Sequence, residues 1–192
     1  FDFASCGYAL CIVDTGGSHS DLTDEYAAVR KEMESVAEYL GKSVLREVDE
    51  DEFMKNIADI RSSCGDRAVL RAMHFYGDNA RVEKQAAALK AGDFETFKKY
   101  IIESGRSSYM YNQNVYSCKK ASEQPVSLAL SLSEKLLDGC GAWRVHGGGF
   151  AGTIQAFVPL NKLDEYKDLM EKVFGSGSCY ILSVRPVGGV EL

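Results

Sequence analysis

The sequence predicts an α+β fold, a ferredoxin-like β-α-β-β-α-β sandwich with inserted helices. Four short apolar runs read as strands, at Tyr8–Val13, Trp143–Val145, Ile154–Val158 and Cys179–Val184. The long interval between the first and second runs has helical periodicity almost throughout. A further helical stretch separates the last two strands. The order is therefore strand, helix, several inserted helices, strand, strand, helix, strand. Four strands with helices packed on one face make one core.

Tyr8-Ala9-Leu10-Cys11-Ile12-Val13 is continuously apolar and ends at Asp14, as expected of a buried strand. The turn Thr15-Gly16-Gly17-Ser18 follows. From about Asp21 to Leu40 the residues Leu22, Tyr26, Val29, Met33, Val36, Ala37 and Leu40 recur at three- and four-residue steps, giving a helix that Gly41 stops. Asp49 with Glu52 has capping-box spacing and opens a short helix to about Ile60. A second long helix spans Arg67 to Lys90, and Asp93 caps a third through about Ser108. Tyr109 to Ser122 is polar and tyrosine-rich and reads as a loop. Gln124 to Leu137 is helical, with Pro125 in its first turn. Lys162 to Phe174 is the last helix, and Pro186 ends the last strand.

At 192 residues the chain fits one domain, 1–192, with a helical insertion. It is 45% apolar and 26% charged, the balance of a globular protein with a real core. A net charge of −6 argues against a nucleic-acid partner, which needs a basic face. The six cysteines include no Cys-x-x-Cys pair, so a zinc site is not expected, and their placement in apolar runs suits a reducing cytoplasm. No apolar run approaches the length of a membrane span or a signal peptide. The chain starts at Phe1, directly before a strand-like run, and reads as a piece of something longer.

Gly147-Gly148-Gly149-Phe150, between two strands, is the most informative motif. Glycine reaches φ > 0 and lets another molecule approach the backbone. Successive exposed N–H groups can form an anion-binding concavity, with phosphate the usual guest. A plain hairpin turn explains the same residues. Two other motifs fail on context. His146-Gly147-Gly148-Gly149 spells an esterase oxyanion loop, but no Gly-x-Ser-x-Gly elbow accompanies it. Asp14-Thr15-Gly16 spells an aspartic-protease signature, but it runs into a long helix, so Asp14 reads as a strand-end turn residue.

Several segments taken together say more. Asp14-Thr15-Gly16-Gly17-Ser18-His19-Ser20 leads to Asp24-Glu25-Tyr26 and Arg30-Lys31-Glu32. Asp78-Asn79-Ala80-Arg81-Val82 precedes Ala88-Leu89-Lys90-Ala91-Gly92-Asp93, and Gly141-Ala142-Trp143-Arg144-Val145-His146 precedes Gly147-Gly148-Gly149-Phe150-Ala151-Gly152. This combination resembles the C-terminal half of galactokinases, members of the GHMP small-molecule kinase family, from about Tyr8 to Val184. The resemblance implies a GHMP-type C-terminal domain and transfer of the γ-phosphoryl group of Mg-ATP to the anomeric hydroxyl of a galactose-like sugar. It places the glycine loop at the active-site cleft and matches Tyr26 to the family's sugar-contacting tyrosine. It also implies that the catalytic and ATP-wrapping motifs belong to an N-terminal domain that this chain lacks. No catalytic residue and no metal ligand is then expected here, and ATP and Mg2+ would be bound mainly by that other domain.

The candidate site residues are thus Tyr26, Gly147, Gly148, Gly149 and Phe150, with His19 and His146 in addition. Tyr26 lies on an apolar helix face and serves equally well as a packing residue, and His19 suits a turn or cap. Three positions depart from the family. His146 stands where threonine or serine is more common, Ala151 replaces a usual glycine, and Ser18 precedes His19 where a basic residue is common. These departures leave the sugar open. The expected partners are a sugar, ATP and the protein's own N-terminal domain, with no nucleic acid and no membrane. A non-catalytic sugar-binding or regulatory relative would carry the same signature.

Overall fold

Apolar β-branched residues favour a pleated, half-buried surface, and the first run, Tyr8–Asp14, forms strand β1 in the interior of a sheet. The structure, a computed structural model, describes residues 2–17 and 22–184. The other strands are β2 (Ala142–Val145), β3 (Thr153–Pro159) and β4 (Cys179–Leu182). The sheet order is β2-β3-β1-β4, with every neighbouring pair antiparallel. The register sets Cys11 opposite Ala156 on one side and Ile181 on the other. This order and connectivity are those of the ferredoxin-like arrangement.

The helices are α1 (Thr23–Tyr39), α2 (Glu50–Lys55), α3 (Ile57–Cys64), α4 (Asp66–Lys90), α5 (Phe94–Ser107), α6 (Pro125–Leu137) and α7 (Leu163–Phe174). The Asp49 carboxylate accepts from the amides of Asp51 and Glu52, as its cap position predicts. The helix it starts is not continuous to Ile60, however. Asn56 leaves helical geometry at φ −102° and ψ 10°, and α3 begins after it. Likewise 109–122 is not wholly loop. A π-helical turn spans Ser108–Asn112, and a 3-10 turn spans Cys118–Lys120.

Strand side chains alternate between faces, and both faces of this sheet are covered. Ala9, Cys11, Val13, Trp143, Val145, Ile154, Ala156 and Val158 pack with Val126, Ala129 and Leu137 of α6 and with Tyr166 and Met170 of α7. The opposite face sets Tyr8, Leu10, Ala142 and Phe157 against Phe94, Phe97 and Ile101 of α5. The expectation of helices on one face is therefore corrected, because the insertion returns to the sheet. The first helix is corrected too. α6 is the one that flanks α7, while α1 builds a separate helical cluster in which Val36 and Ala37 meet Phe53, Ile60, Val69 and Ala72.

Candidate functional site

Three segments converge at the β2–β3 connection. The hairpin closes where the His146 amide donates to the Thr153 carbonyl oxygen at 2.9 Å. Beyond it the backbone is left-handed at Gly147 (φ 71°), Gly149 (79°) and Phe150 (58°). Two of the three glycines thus meet a conformational demand, while Gly148 meets a spatial one. A Cβ on Gly148 would lie 2.7 Å from Cε1 of Tyr26, and one on Gly149 would fall on the Asn114 carbonyl oxygen.

Tyr26, one turn into α1, donates its hydroxyl to the Gly149 carbonyl oxygen at 2.8 Å. Its ring meets Phe150 edge-on, with centroids 5.4 Å apart and planes at 90°. Burial raises its phenol above the ordinary value. Leu22, Phe150 and Ala151 are buried together with Tyr26 and Val29 against them. From the other side Asn114 donates through Nδ2 to the Gly148 carbonyl oxygen at 3.1 Å, and its own carbonyl accepts the Phe150 amide at 2.5 Å. The amides of Gly147, Gly148 and Gly149 make no hydrogen bond to any other described residue. The carbonyls of Gly148 and Gly149 are thus pinned, while the three glycine amides are unbonded among the described residues.

Beside the loop lies an open cleft of about 680 Å³, lined by Thr15, Gly16, Gly17, Ser117, Lys120 and Phe150 among others. Asp14 accepts the Gly16 amide at 2.9 Å, so it holds the strand-end turn as its position suggested. Thr15 uses both its amide (2.9 Å) and its hydroxyl (2.7 Å) on the Gly152 carbonyl, tying the turn to the end of the glycine loop. Buried Glu25 accepts the Ser117 hydroxyl at 2.6 Å and joins α1 to the far wall.

The structure therefore brings together Tyr26, Gly147, Gly148, Gly149 and Phe150. His146 stands apart. It is exposed and its Nδ1 is 2.9 Å from Oε1 of Gln155 across the β2–β3 pair. Of the candidate residues, Phe150 lines the cleft. His19 lies outside the described residues. Sequence reasoning missed Asn114 and Thr15, because a polar residue in a polar segment carries no periodic signal. Among the described residues, no group of three or more His, Cys, Asp or Glu side chains is placed to hold a metal ion. No helix among them is long and apolar enough to cross a membrane.

Comparison with known proteins decides the relationship. The human galactokinase is 31% identical over 184 residues, which cover 96% of this chain and 44% of that protein. The galactokinase of Actinobacillus pleuropneumoniae serotype 5b (strain L20) is 26% identical over 164 residues, covering 85% of this chain and 41% of that protein. This chain is a relative of the galactokinases. It spans about two fifths of the length of these galactokinases. The fold agrees. The crystal structure of Lactococcus lactis galactokinase complexed with galactose superposes with a TM-score of 0.68 at 21% identity, covering 93% of this chain and 45% of that one. The α+β order of elements and the GHMP-type C-terminal domain that the resemblance implied both agree with this fold. No protein-family model matches the chain.

Proposed function

We propose that this chain is the C-terminal domain of a cytoplasmic sugar kinase that moves the γ-phosphoryl group of Mg-ATP to the anomeric hydroxyl of galactose or a close relative. The observation that carries the reading is the glycine loop, with three successive amides unbonded to other described residues and with Phe150, at its end, lining the neighbouring cleft. Phosphoryl transfer depends on positioning and on donors aimed at charge that develops in the transition state. Backbone amides fixed in place suit that task because they need no reorganisation as the reaction proceeds. In this scheme Phe150 lines the cleft and Gly147–Gly149 present their amides beside it. Tyr26 holds the loop through Gly149, and the same phenol oxygen can accept a sugar hydroxyl while it donates. The described residues offer anion donors but, among them, no carboxylate set for a metal, so Mg2+ would be held by the N-terminal domain, where it would neutralise phosphate charge. The base that accepts the sugar proton would also lie there. The isolated chain is then inactive.

A coupled ADP-release assay of the full-length protein against a panel of hexoses tests this reading. Turnover should be highest with galactose or an epimer of it, and absent for residues 1–192 alone. Folded full-length protein that releases no ADP with any hexose would leave a non-catalytic sugar-binding or regulatory relative as the better account.

A further inference from the structure

We infer that Asn114 is a positioning residue of the phosphoryl-transfer site, the clamp that sets the peptide planes of the glycine loop. The inference rests on the kinase reading above and adds a residue that no sequence motif marks.

Asn114 reaches the loop in three ways. Its Nδ2 donates to the Gly148 carbonyl at 3.1 Å, and its main-chain oxygen accepts the Phe150 amide at 2.5 Å. Its backbone also fills the space that a side chain at position 149 would need. A peptide unit is planar and trans, so its C=O and the following N–H point in opposite directions. Fixing the Gly148 carbonyl on Asn114 therefore turns the Gly149 amide away from Asn114. Fixing the Gly149 carbonyl on Tyr26 turns the Phe150 amide toward Asn114, where its hydrogen bond is found. Two clamps on consecutive carbonyls thus define both planes. Phe150 at φ 58° is held in a region that non-glycine residues rarely occupy, and such a residue persists only where its surroundings over-determine it.

The clamp is itself anchored. Buried Arg71 of α4 donates through Nε to the Asn112 carbonyl at 3.0 Å, and Ser117 is bonded to Glu25 of α1. The segment between these anchors carries Asn114, which is 5% exposed. Its Oδ1 is buried without a hydrogen-bond partner among the described residues, an unfavourable arrangement that follows from turning the amide nitrogen toward Gly148. An aspartate of the same shape would set an oxygen against that carbonyl.

The test uses Asn114→Asp and Asn114→Ala in the full-length protein. Misplacing catalytic groups by about an ångström costs about a hundredfold, so kcat should fall about tenfold to a hundredfold with KM for ATP and sugar within about twofold. Amide exchange in the peptide covering 147–152 should speed up by about tenfold, the equivalent of one lost hydrogen bond, while the peptide covering β1 exchanges as before. Unchanged exchange in 147–152 for both variants removes the clamp. Exchange that rises equally in β1 makes Asn114 a packing residue and also overturns the inference, as does an unchanged kcat in an active enzyme. Wild-type protein without sugar turnover would sink the kinase reading instead, and the exchange data would still decide whether Asn114 holds the loop.

Discussion

The two faces of the sheet are built on different physics. Under α6 and α7 the contact is almost wholly apolar, with Val13, Ile154, Ala156, Val158 and Met170 fully buried. Under α5 a smaller aromatic cluster adjoins a polar network. There Asp78 of α4 accepts from Arg81 Nε at 3.0 Å and from the Ser104 hydroxyl at 2.6 Å, and Arg144 of β2 donates to Ser104 at 2.7 Å. Burial alone would raise the Asp78 carboxyl. Hydrogen bonds from Ser104 and Arg81, with the charges of His74 and Arg144, outweigh it and hold the group below its ordinary value. Burial pulls the Arg144 guanidinium down against the attraction of Asp78. The apolar face is stabilised by area removed from water, and it tolerates loss in proportion to volume. The polar face sets Arg81 directly, and Arg144 through Ser104, on one carboxylate, so it depends on a single residue.

The largest effects should come from removing the centre of each face. Ile154→Ala deletes buried volume between α6 and α7 and should cost about 2–5 kcal/mol. Asp78→Ala leaves Arg81 and Arg144 partly buried without a counter-charge. It should cost about 3 kcal/mol, the low end for a broken buried pair because the Asp78 side chain keeps 22% exposure. The contrast lies in the milder variants. Ile154→Val should recover most of the loss, at about 0.5–1.5 kcal/mol. Asp78→Asn keeps the shape and loses the charge, so it should recover little. Urea melts of the isolated chain measure all four. An Asp78→Asn variant as stable as wild type would show that the network is solvated and that the two faces do not differ as described.

The same division explains what could be read from the chain. The strands and the order of elements were legible because periodicity reports burial, and burial defines β1, β3 and α7. Which helix covers the sheet was not. α1 and α6 are both amphipathic, and the choice between them is made by tertiary packing that no window of sequence contains. The break at Asn56, whose Nδ2 bonds back to the Glu52 carbonyl, and the turn at Ser108–Asn112, which the left-handed Gln113 ends, escaped because neither carries a periodic signal. At the site, Gly147 and Gly149 were legible because their backbone demands glycine. Asn114 was invisible because its role depends on a carbonyl 34 residues away. His146 looked like a site residue by adjacency, but strand register turned it toward Gln155.

Gly105 offers a smaller test of the polar face. It sits in α5 where an added Cβ would lie 2.9 Å from Cβ of Arg144 and 3.1 Å from the Trp143 carbonyl oxygen. Alanine improves helix propensity by roughly 0.5–1 kcal/mol. The obstacle includes strand backbone, which cannot swing aside, and forced overpacking costs about 1–3 kcal/mol. Overpacking should win, so Gly105→Ala is expected to be destabilising by about 1 kcal/mol. A stabilised Gly105→Ala would mean that α5 can move off β2 and that this face is the softer one.

The smallest effect separates the faces by pH. His74 of α4 is 8% exposed, with Nδ1 2.9 Å from the Ser107 hydroxyl and Nε2 3.9 Å from Asp78. Burial lowers it below its ordinary 6.5, and the pull of Asp78 does not make up the difference against the nearby charges of Arg81 and Arg144. The ring is therefore neutral at pH 7, and the approach to Asp78 is not an ion pair. As pH falls below 6.5 the unfolded chain takes up the proton first, so stability is present above that pH and declines as the folded value is approached. One group contributes at most about 1.4 kcal/mol per pH unit. Asp78, with its carboxyl depressed, loses its own contribution only as pH falls below its unfolded value of 3.8, outside the range from pH 7.5 to 5.5. Between pH 7.5 and 5.5, wild type should therefore lose up to about 1 kcal/mol more than His74→Gln, which keeps a polar group near Ser107 but cannot titrate. Urea midpoints at the two pH values measure the difference. Equal losses in both proteins would mean that His74 stays solvated enough to titrate normally, and the polar face would then lack the pH sensitivity that sets it apart from the apolar one.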